Sequence, residues 1–563
     1  MKKKLLIVFI LFLAGCAVAQ EKEKLAYPDL DTGTWYKNAL IYNLEIGVFK
    51  DSDGDGRGDI PGLISKLDYL RSMGVDVLWL APFFPSPGRD DGYDVADFYG
   101  IDPSLGNHGH FTELVRQARQ RGMRIILDLV INHTSDQHPW FRASSSSRDS
   151  PFREWYIWSE KRPKDWNKGM VFPGVQEGVW TKDPKTDQYY YHRFYEFQPD
   201  LNYTNPEVVA EVHRLIAFWL QQGIDGFRVD AVPFVLELPG SPGDKPRLDF
   251  EFLYRMRQFA MFRNPEAIIL GEANVPPGEN AAYFGEDSRG LQMMFNFYVN
   301  QHLFFALATG DVKPLLTALK ATQQIPEMAQ WVHFLRNHDE IDLGRLTEKQ
   351  RERVFEKFGP DSSMQLYDRG IRRRLAPMLG RPDLIRLAYS VLFALPGTPV
   401  IRYGEEIGMG DDLSLKERLS VRTPMQWDTT KNAGFSSGDS LWRPVISEGK
   451  YDYRQVNVGQ QLGDSTSLLF HLKRLASLRR RLPQIGDRDY EIVEGMGEGI
   501  LAIRYRSLLI LHNFCDCEKT VRVPGGERLT ASLLFGGRTA DPGSKQLPIV
   551  KLGPYDYQWY QLF

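Results

Sequence analysis

The stretch Asn205-Pro-Glu-Val-Val-Ala-Glu-Val-His-Arg-Leu-Ile-Ala-Phe-Trp-Leu-Gln-Gln-Gly-Ile-Asp-Gly-Phe-Arg-Val-Asp230 decides the fold. Asn205 is a helix-capping residue, and Pro206 stands at the first helical position, where its missing N–H is not needed. From there Val208, Val212, Leu215, Ile216 and Trp219 fall on one face of a helix. The run Gly226-Phe227-Arg228-Val229-Asp230 that follows is short and apolar and ends in charge, which reads as a strand. Seven similar runs surround it: Ala39–Tyr42, Val75–Leu80 and Arg124–Val130 before, and Ala267–Glu272, Met293–Val299, Trp331–Leu335 and Pro399–Tyr403 after. Helical patterns lie between them, as at Leu63, Ile64, Leu67 and Leu70, at Phe111–Arg121, and after Asp464 with Leu468, Leu472 and Leu475 inward. Eight strands with intervening helices predict a parallel α/β sheet, and closure into a (β/α)8 TIM barrel is the natural solution. An open doubly wound sheet would carry a Gly-rich phosphate turn after an early strand, and none is present.

Two regions break the alternation. Residues 132–204 are rich in Trp, Tyr, Ser and Pro and are too long for a structureless loop, so they predict a small domain inserted after the third strand. Residues 483–563 are turn-rich and strand-like, at Ile500–Tyr505, Ser507–Asn513, Leu529–Phe535 and Asp556–Leu562, and predict a C-terminal antiparallel β-sandwich. The barrel then takes 33–131 and 205–482. The chain's 563 residues hold about three to four domains' worth of material, which excludes a small disulfide scaffold or a lone binding module. Lys and Arg number 69 against 72 Asp and Glu, so neither a nucleic-acid surface nor a polybasic membrane patch is expected. The three cysteines, Cys16, Cys515 and Cys517, build no disulfide framework, and the last two read as packing residues on one strand face.

The first residues stand apart. Lys2, Lys3 and Lys4 precede the apolar stretch Leu5–Leu13, which is short of the about 20 residues of a membrane span. Leu13-Ala14-Gly15-Cys16 resembles a bacterial lipoprotein signal. The expectation is a signal peptide over 1–15, a tether over 16–32, and an exported protein held at a bacterial membrane, in the periplasm or at the cell surface, only through a lipid on Cys16. A plain secretory peptide is the alternative.

In a barrel of this kind chemistry gathers at the C-terminal ends of the strands. There stand Asp128, Asn132 and His133 on the third strand, Arg228 and Asp230 on the fourth, Glu272 on the fifth, and Asn337, His338 and Asp339 on the seventh. Carboxylates from separate strand ends suit pair chemistry on a neutral substrate. Retaining glycoside cleavage needs two carboxyl groups about 5–5.5 Å apart, and neighbouring strands lie about 5 Å apart.

These residues carry a resemblance. Asp128-Leu-Val-Ile-Asn132-His133, Gly226-Phe-Arg228-Val-Asp230-Ala231, Gly271-Glu272-Ala-Asn and Arg336-Asn337-His338-Asp339 resemble, in order, the motifs of glycoside hydrolase family 13, the α-amylase family. Gln198-Pro-Asp-Leu-Asn202 and Gly404-Glu-Glu-Ile-Gly-Met-Gly410 match as well. The resemblance implies Asp230 as nucleophile, Glu272 as general acid and then base, and Asp339 gripping the sugar hydroxyls. It implies Arg228 orienting the nucleophile and His133 and His338 on hydroxyls of the glucose at the cleavage site. Asp94, with Tyr93 as stacking platform, would close the far end of a one-glucose pocket. No organic cofactor is implied.

Asp51-Ser-Asp53-Gly-Asp55-Gly-Arg57-Gly-Asp59 has the alternating oxygens and flexible Gly of a hard-cation loop, although Gly62 stands where an EF-hand has its closing Glu. The resemblance to oligoglucosidase-like members implies structural Ca²⁺, ahead of Mg²⁺, on Asp51, Asp53, Asp55, the Arg57 carbonyl and Asp59. Within the family, Asn132–Trp140, Phe334–Glu340, Gly370–Pro377, Val421–Trp427 and Leu552–Trp559 resemble the trehalose-synthase branch, which interconverts maltose and trehalose. The segment Leu346–Arg374, polar and helix-like after the strand carrying Asp339, reads as a cover over the site. Ala231 resembles members acting on α-1,4 bonds, and an exported α-glucosidase or α-amylase acting on short α-1,4 oligosaccharides is the alternative.

Overall fold

Eight parallel strands close into a barrel in the computed structural model of the chain, which describes residues 34–239, 246–286, 288–536, 545–546 and 548–563. The expected N-terminal signal, the tether up to residue 32 and Cys16 lie outside the described residues. Strands β1 (Ile41–Leu44), β2 (Val77–Leu80), β3 (Arg124–Leu129), β4 (Gly226–Val229), β5 (Ile268–Gly271), β6 (Met293–Phe295), β7 (Gln330–Phe334) and β8 (Thr398–Arg402) pair in chain order, and β8 returns to β1. Helices cover the outside and side chains fill the inside, so the strands are buried on both faces and carry continuous apolar runs.

The helix Pro206–Gln221 begins where the sequence places it, with the Asn205 side chain accepting from Glu207 N–H at 2.9 Å. Its inward face carries Val208, Val212, Leu215, Ile216 and Trp219, all buried. The sixth strand is shorter than its apolar run suggests. Asn296 caps a new helix, Phe297–Thr309, by accepting from Val299 N–H at 3.0 Å, and so ends the strand at Phe295. Apolar content alone does not distinguish a buried strand from the buried helix that follows it.

Between β3 and the Asn205 cap, the strands Trp158–Ser159, Gln188–Tyr191 and Trp180–Asp183 form an antiparallel sheet in that spatial order. Aromatic contacts bind it, including Phe141 stacked on Trp158 at 5.8 Å. After β7 comes a second small sheet, Ile341–Asp342, Gly370–Ile371 and Gln365–Leu366, with the helix Glu348–Phe358 inside its long connection. The C-terminal region is a six-stranded antiparallel sheet faced by the two-stranded pair Lys519–Arg522 and Ile549–Leu552. The second layer is therefore only a ribbon, and Val521, Val550 and Leu552 close a small core of their own with Ile500, Leu509 and Leu511. Cys515 and Cys517 sit in the turn after Leu508–Asn513 rather than on a strand face, with Cys517 exposed. Asn513 ends that strand by turning its amide onto the Cys517 and Gly553 carbonyls. Among the described residues no helix is long and apolar enough to cross a membrane.

Gly226 starts β4 at φ +150, and a Cβ there would stand 2.3 Å from the carbonyl oxygen of Ile268 on β5. The two strands that bear Asp230 and Glu272 approach this closely because no side chain separates them. Gly226→Ala is expected to destabilise the protein by about 1–3 kcal/mol through overpacking. An unchanged denaturant midpoint would contradict that reading of the β4–β5 contact.

Candidate active site

Strand register sets the geometry. Asp128 on β3 lies level with Arg228 on β4, and Val229 lies level with Gly271 on β5. The ladder runs one step past the strands: Asp230 N–H donates to Leu129 O at 3.2 Å, and Glu272 N–H donates to Val229 O at 3.0 Å. Asp230 and Glu272 therefore leave neighbouring strands at the same level. Ala231, directly after Asp230, has φ +49, a left-handed conformation that a residue with a Cβ adopts only when its surroundings impose it. Val232 N–H donating to Glu272 O at 3.0 Å is part of that imposition.

The Arg228 guanidinium is the hub. It is 1% exposed and reaches Asp128, Asp230 (2.8 Å) and Glu272 together. Trp79 Nε1–H (3.2 Å) and the Tyr93 hydroxyl (2.9 Å) donate to the other Asp128 oxygen. Burial acts to deprotonate Arg228, but the surrounding carboxylates hold it charged. Burial raises the pKa of Asp230 to about 7, reinforced by Asp128 and Asp339 and opposed by Arg228.

On the opposite wall, Asp339 accepts from Arg418 at 2.9 Å and Arg422 at 3.0 Å and lies 3.0 Å from His338 Nε2. Burial works to raise its pKa, but His338 and the two arginines outweigh it and hold the carboxyl well below the usual range. Burial lowers the His338 pKa against the pull of Asp339. The His338 ring stacks on Tyr93 at 5.2 Å, which occupies one face of that tyrosine, and its Nδ1 has no protein partner. His133, neutral because burial lowers its pKa to about 4, contacts the Tyr93 carbonyl through Nε2 at 3.1 Å.

Asp230, Glu272, Asp339, Tyr93, His133 and His338 line one cavity of about 390 Å³, within the range of small-molecule sites. Asp94 does not line it. Asp94 is fully buried, with its oxygens taken by Ser86 Oγ, Arg89 N–H and Asp90 N–H. It folds the turn that presents Asp90, and Asp90 is the wall residue, paired with Arg418 at 2.8 Å. Burial, opposed first by Arg418, raises the Asp90 pKa to about 6. The run Arg89-Asp90-Asp91 directly before Gly92-Tyr93 was the signal for it. Sequence reasoning also missed Phe172, Glu340, Arg345, Arg369 and Arg418 on the cavity wall. Glu340 directly follows Asp339; burial and that neighbour raise its pKa to about 7.

The acidic loop lies after β1, apart from the cavity. Ligand oxygens of Asp51, Asp53 and Asp59 stand within 4.8 Å of one another, a donor set that fits a hard cation. Asp55 is not among them; it is exposed and accepts from Arg57 N–H at 2.7 Å. The Arg57 guanidinium points away, to Asp102 at 3.2 Å, so it does not compete with a cation for the carboxylates.

The model of the alpha-amylase catalytic domain matches residues 46–487. The chain belongs to the α-amylase family, glycoside hydrolase family 13. It is 41% identical to a trehalose synthase/amylase of Mycobacterium tuberculosis over 83% of this chain and 79% of that one. It is 43% identical to the trehalose synthase of Thermus thermophilus over 81% of this chain and 47% of that longer relative. The crystal structure of the trehalulose synthase from Pseudomonas mesoacidophila superposes with a TM-score of 0.77 at 27% identity, covering 94% of this chain and 99% of that one.

Arg228→Met removes the cation that the buried carboxylates share. It is expected to cost about 3–5 kcal/mol at pH 8. Without the guanidinium the folded-state pKa of Asp230 rises further above its unfolded value. The deficit should therefore be full above that raised value and shrink as pH falls through it toward pH 5. Denaturant melts at the two pH values test this, and a deficit that grew toward pH 5 would contradict it.

Proposed function

We propose that the protein is a retaining α-glucosyl transferase that interconverts maltose and trehalose. One observation carries the chemistry: Asp230 and Glu272 leave adjacent strands at one level, beside Asp339, on the wall of a single closed-in cavity. The kinship with trehalose synthases supports the substrate.

In the proposed first step an Asp230 oxygen attacks C1 of the non-reducing glucose of maltose. The bond from C1 to the O4 oxygen of the second glucose breaks, and the Glu272 carboxyl gives its proton to that oxygen. The glucosyl ester forms on Asp230, and free glucose remains in the cavity. In the second step the 1-hydroxyl of that glucose attacks C1 of the ester, Glu272 takes the hydroxyl proton, and the carboxylate of Asp230 leaves. Two inversions return the α configuration, and an α,α-1,1 bond results. Asp339, held anionic by His338 and its arginines, binds sugar hydroxyls and supports the positive charge developing on the ring. Asp90, with Arg418, takes the role expected of Asp94 at the closed end. Hydrolysis differs only in the second step, where water replaces the 1-hydroxyl.

Incubation of the pure protein with maltose tests this. Trehalose should appear as the main product, and Asp230→Asn should lower turnover on the order of 10⁴-fold or more. Glucose without trehalose would establish the hydrolase instead.

We further propose that Asp51, Asp53 and Asp59 hold Ca²⁺ in a structural role, pinning the loop that leads into the helix Ile60–Ser65. Asp59 caps that helix by accepting from Gly62 N–H at 2.6 Å. Chelation should lower the melting temperature by about 2 °C or more, with recovery on adding Ca²⁺; no shift would refute the site. Export and lipid attachment at Cys16 remain proposals from the Leu13–Cys16 motif.

A further inference from the structure

Three segments far apart in the sequence meet above the cavity. The inserted region brings Tyr195, the turn between Gln365–Leu366 and Gly370–Ile371 brings Tyr367, and the segment after β8 brings Glu417. The Tyr195 hydroxyl donates to Glu417 Oε2 at 2.7 Å, and the Tyr367 hydroxyl donates to the same oxygen at 2.5 Å. The two hydroxyls lie 3.3 Å apart. Neither tyrosine reaches the cavity. They enclose Phe172, which does: its ring lies 4.8 Å from that of Tyr195 and 4.7 Å from that of Tyr367. Arg418, the neighbour of Glu417, covers Phe172 at 5.0 Å and donates to Asp339. Arg369, two residues beyond Tyr367, donates to the Val171 carbonyl at 2.9 Å.

Tyr367, Asp368 and Glu417 all have positive φ, at +57, +59 and +41. Non-glycine residues hold such angles only where the surrounding structure fixes them. Here the two hydroxyl–carboxylate bonds join the Arg369–Val171 and Arg418–Asp339 contacts in fixing them, so removing the hydroxyls weakens the hold of the turn and the 417 segment on Phe172.

We infer that Tyr195, Tyr367 and Glu417 form a clasp that determines the partition between glucosyl transfer and hydrolysis, by holding the Phe172 wall closed while the freed glucose turns. This rests on the transfer function proposed above. The clasp touches neither sugar nor reacting atoms. Its residues are positioning residues, and their effect is on how often water reaches the ester before the 1-hydroxyl does.

The test uses the full chain with maltose, measuring glucose released per trehalose formed. Tyr195→Phe and Tyr367→Phe keep the rings on Phe172 and remove one hydrogen bond each. Glu417→Gln keeps the volume and removes the charge. Each tyrosine variant should raise the glucose-to-trehalose ratio roughly five- to tenfold, the weight of one such hydrogen bond on the opening equilibrium, while total maltose consumption stays within about twofold. Tyr195→Phe/Tyr367→Phe should exceed either single variant. If the unaltered protein makes trehalose and the variants keep its ratio, the clasp is refuted and the transferase stands. If the unaltered protein makes only glucose, the transferase is refuted and the clasp with it. A variant that loses thermal stability yet keeps the ratio also counts against the clasp, because a merely structural contact would behave that way.

Discussion

One buried guanidinium holds this active site together. Arg228 is the cation that Asp128, Asp230 and Glu272 share, and Asp128 and Asp230 are buried, where an unpaired carboxylate is costly. A planar fork with five donors can serve three acids at once, which an ammonium on a flexible stem would do poorly. The register of β3, β4 and β5 exists in a form that lets it do so: Asp128 level with Arg228, and Asp230 and Glu272 two residues further along their strands. The absent side chain at Gly226 completes the arrangement by letting β4 and β5 approach.

A second set of charges mirrors the first. Asp90 and Asp339 line the cavity, and Arg418, Arg422 and Arg443 bind them and Asp91 in a chain in which each arginine touches at least one acid. The two sets do opposite things to two carboxyls in one cavity. Burial and neighbouring acids raise Asp230, and several cations lower Asp339. Asp339 is thereby held anionic, while the charge on Asp230 depends on Arg228. The roof follows the same logic with weaker bonds, since phenol hydroxyls on a carboxylate can open where guanidinium pairs cannot.

The barrel was legible because its strands are buried on both faces and therefore read as apolar runs, each ending at a polar residue. Asp230, Glu272, Asp339, Arg228, His133 and His338 were legible because position at a strand end and motif agreed. Legibility failed where side-chain direction decides. Asp94 and Asp90 are four residues apart in one turn, and only the hydrogen bonds of Ser86, Arg89 and Asp90 to Asp94 reveal which faces inward. Phe172 and Arg418 lie in stretches without periodicity, and contacts such as Arg418 on Asp90, Arg418 on Phe172 and Phe172 on Tyr367 cross more than 150 residues of chain that no local pattern records. Met293–Val299 shows the remaining limit: the apolar run continues past the strand because the helix that succeeds it is buried too.

Those long separations impose an order on synthesis. Asp90 and Arg418 are 328 positions apart, and Asp91 and Arg443 are 352 apart. At ribosomal speeds of about 5–20 residues per second, the acids wait roughly 20 to 70 seconds for their cations. Until then they cannot be buried, because a carboxylate enclosed without a partner is too costly. The nascent barrel must keep the Asp90–Asp91 turn in water although β2, which precedes it, emerged long before. The pocket is thus a late product of translation, and a ribosome stalled before Arg418 holds a chain with Asp230 and Glu272 made but no enclosed cavity around them.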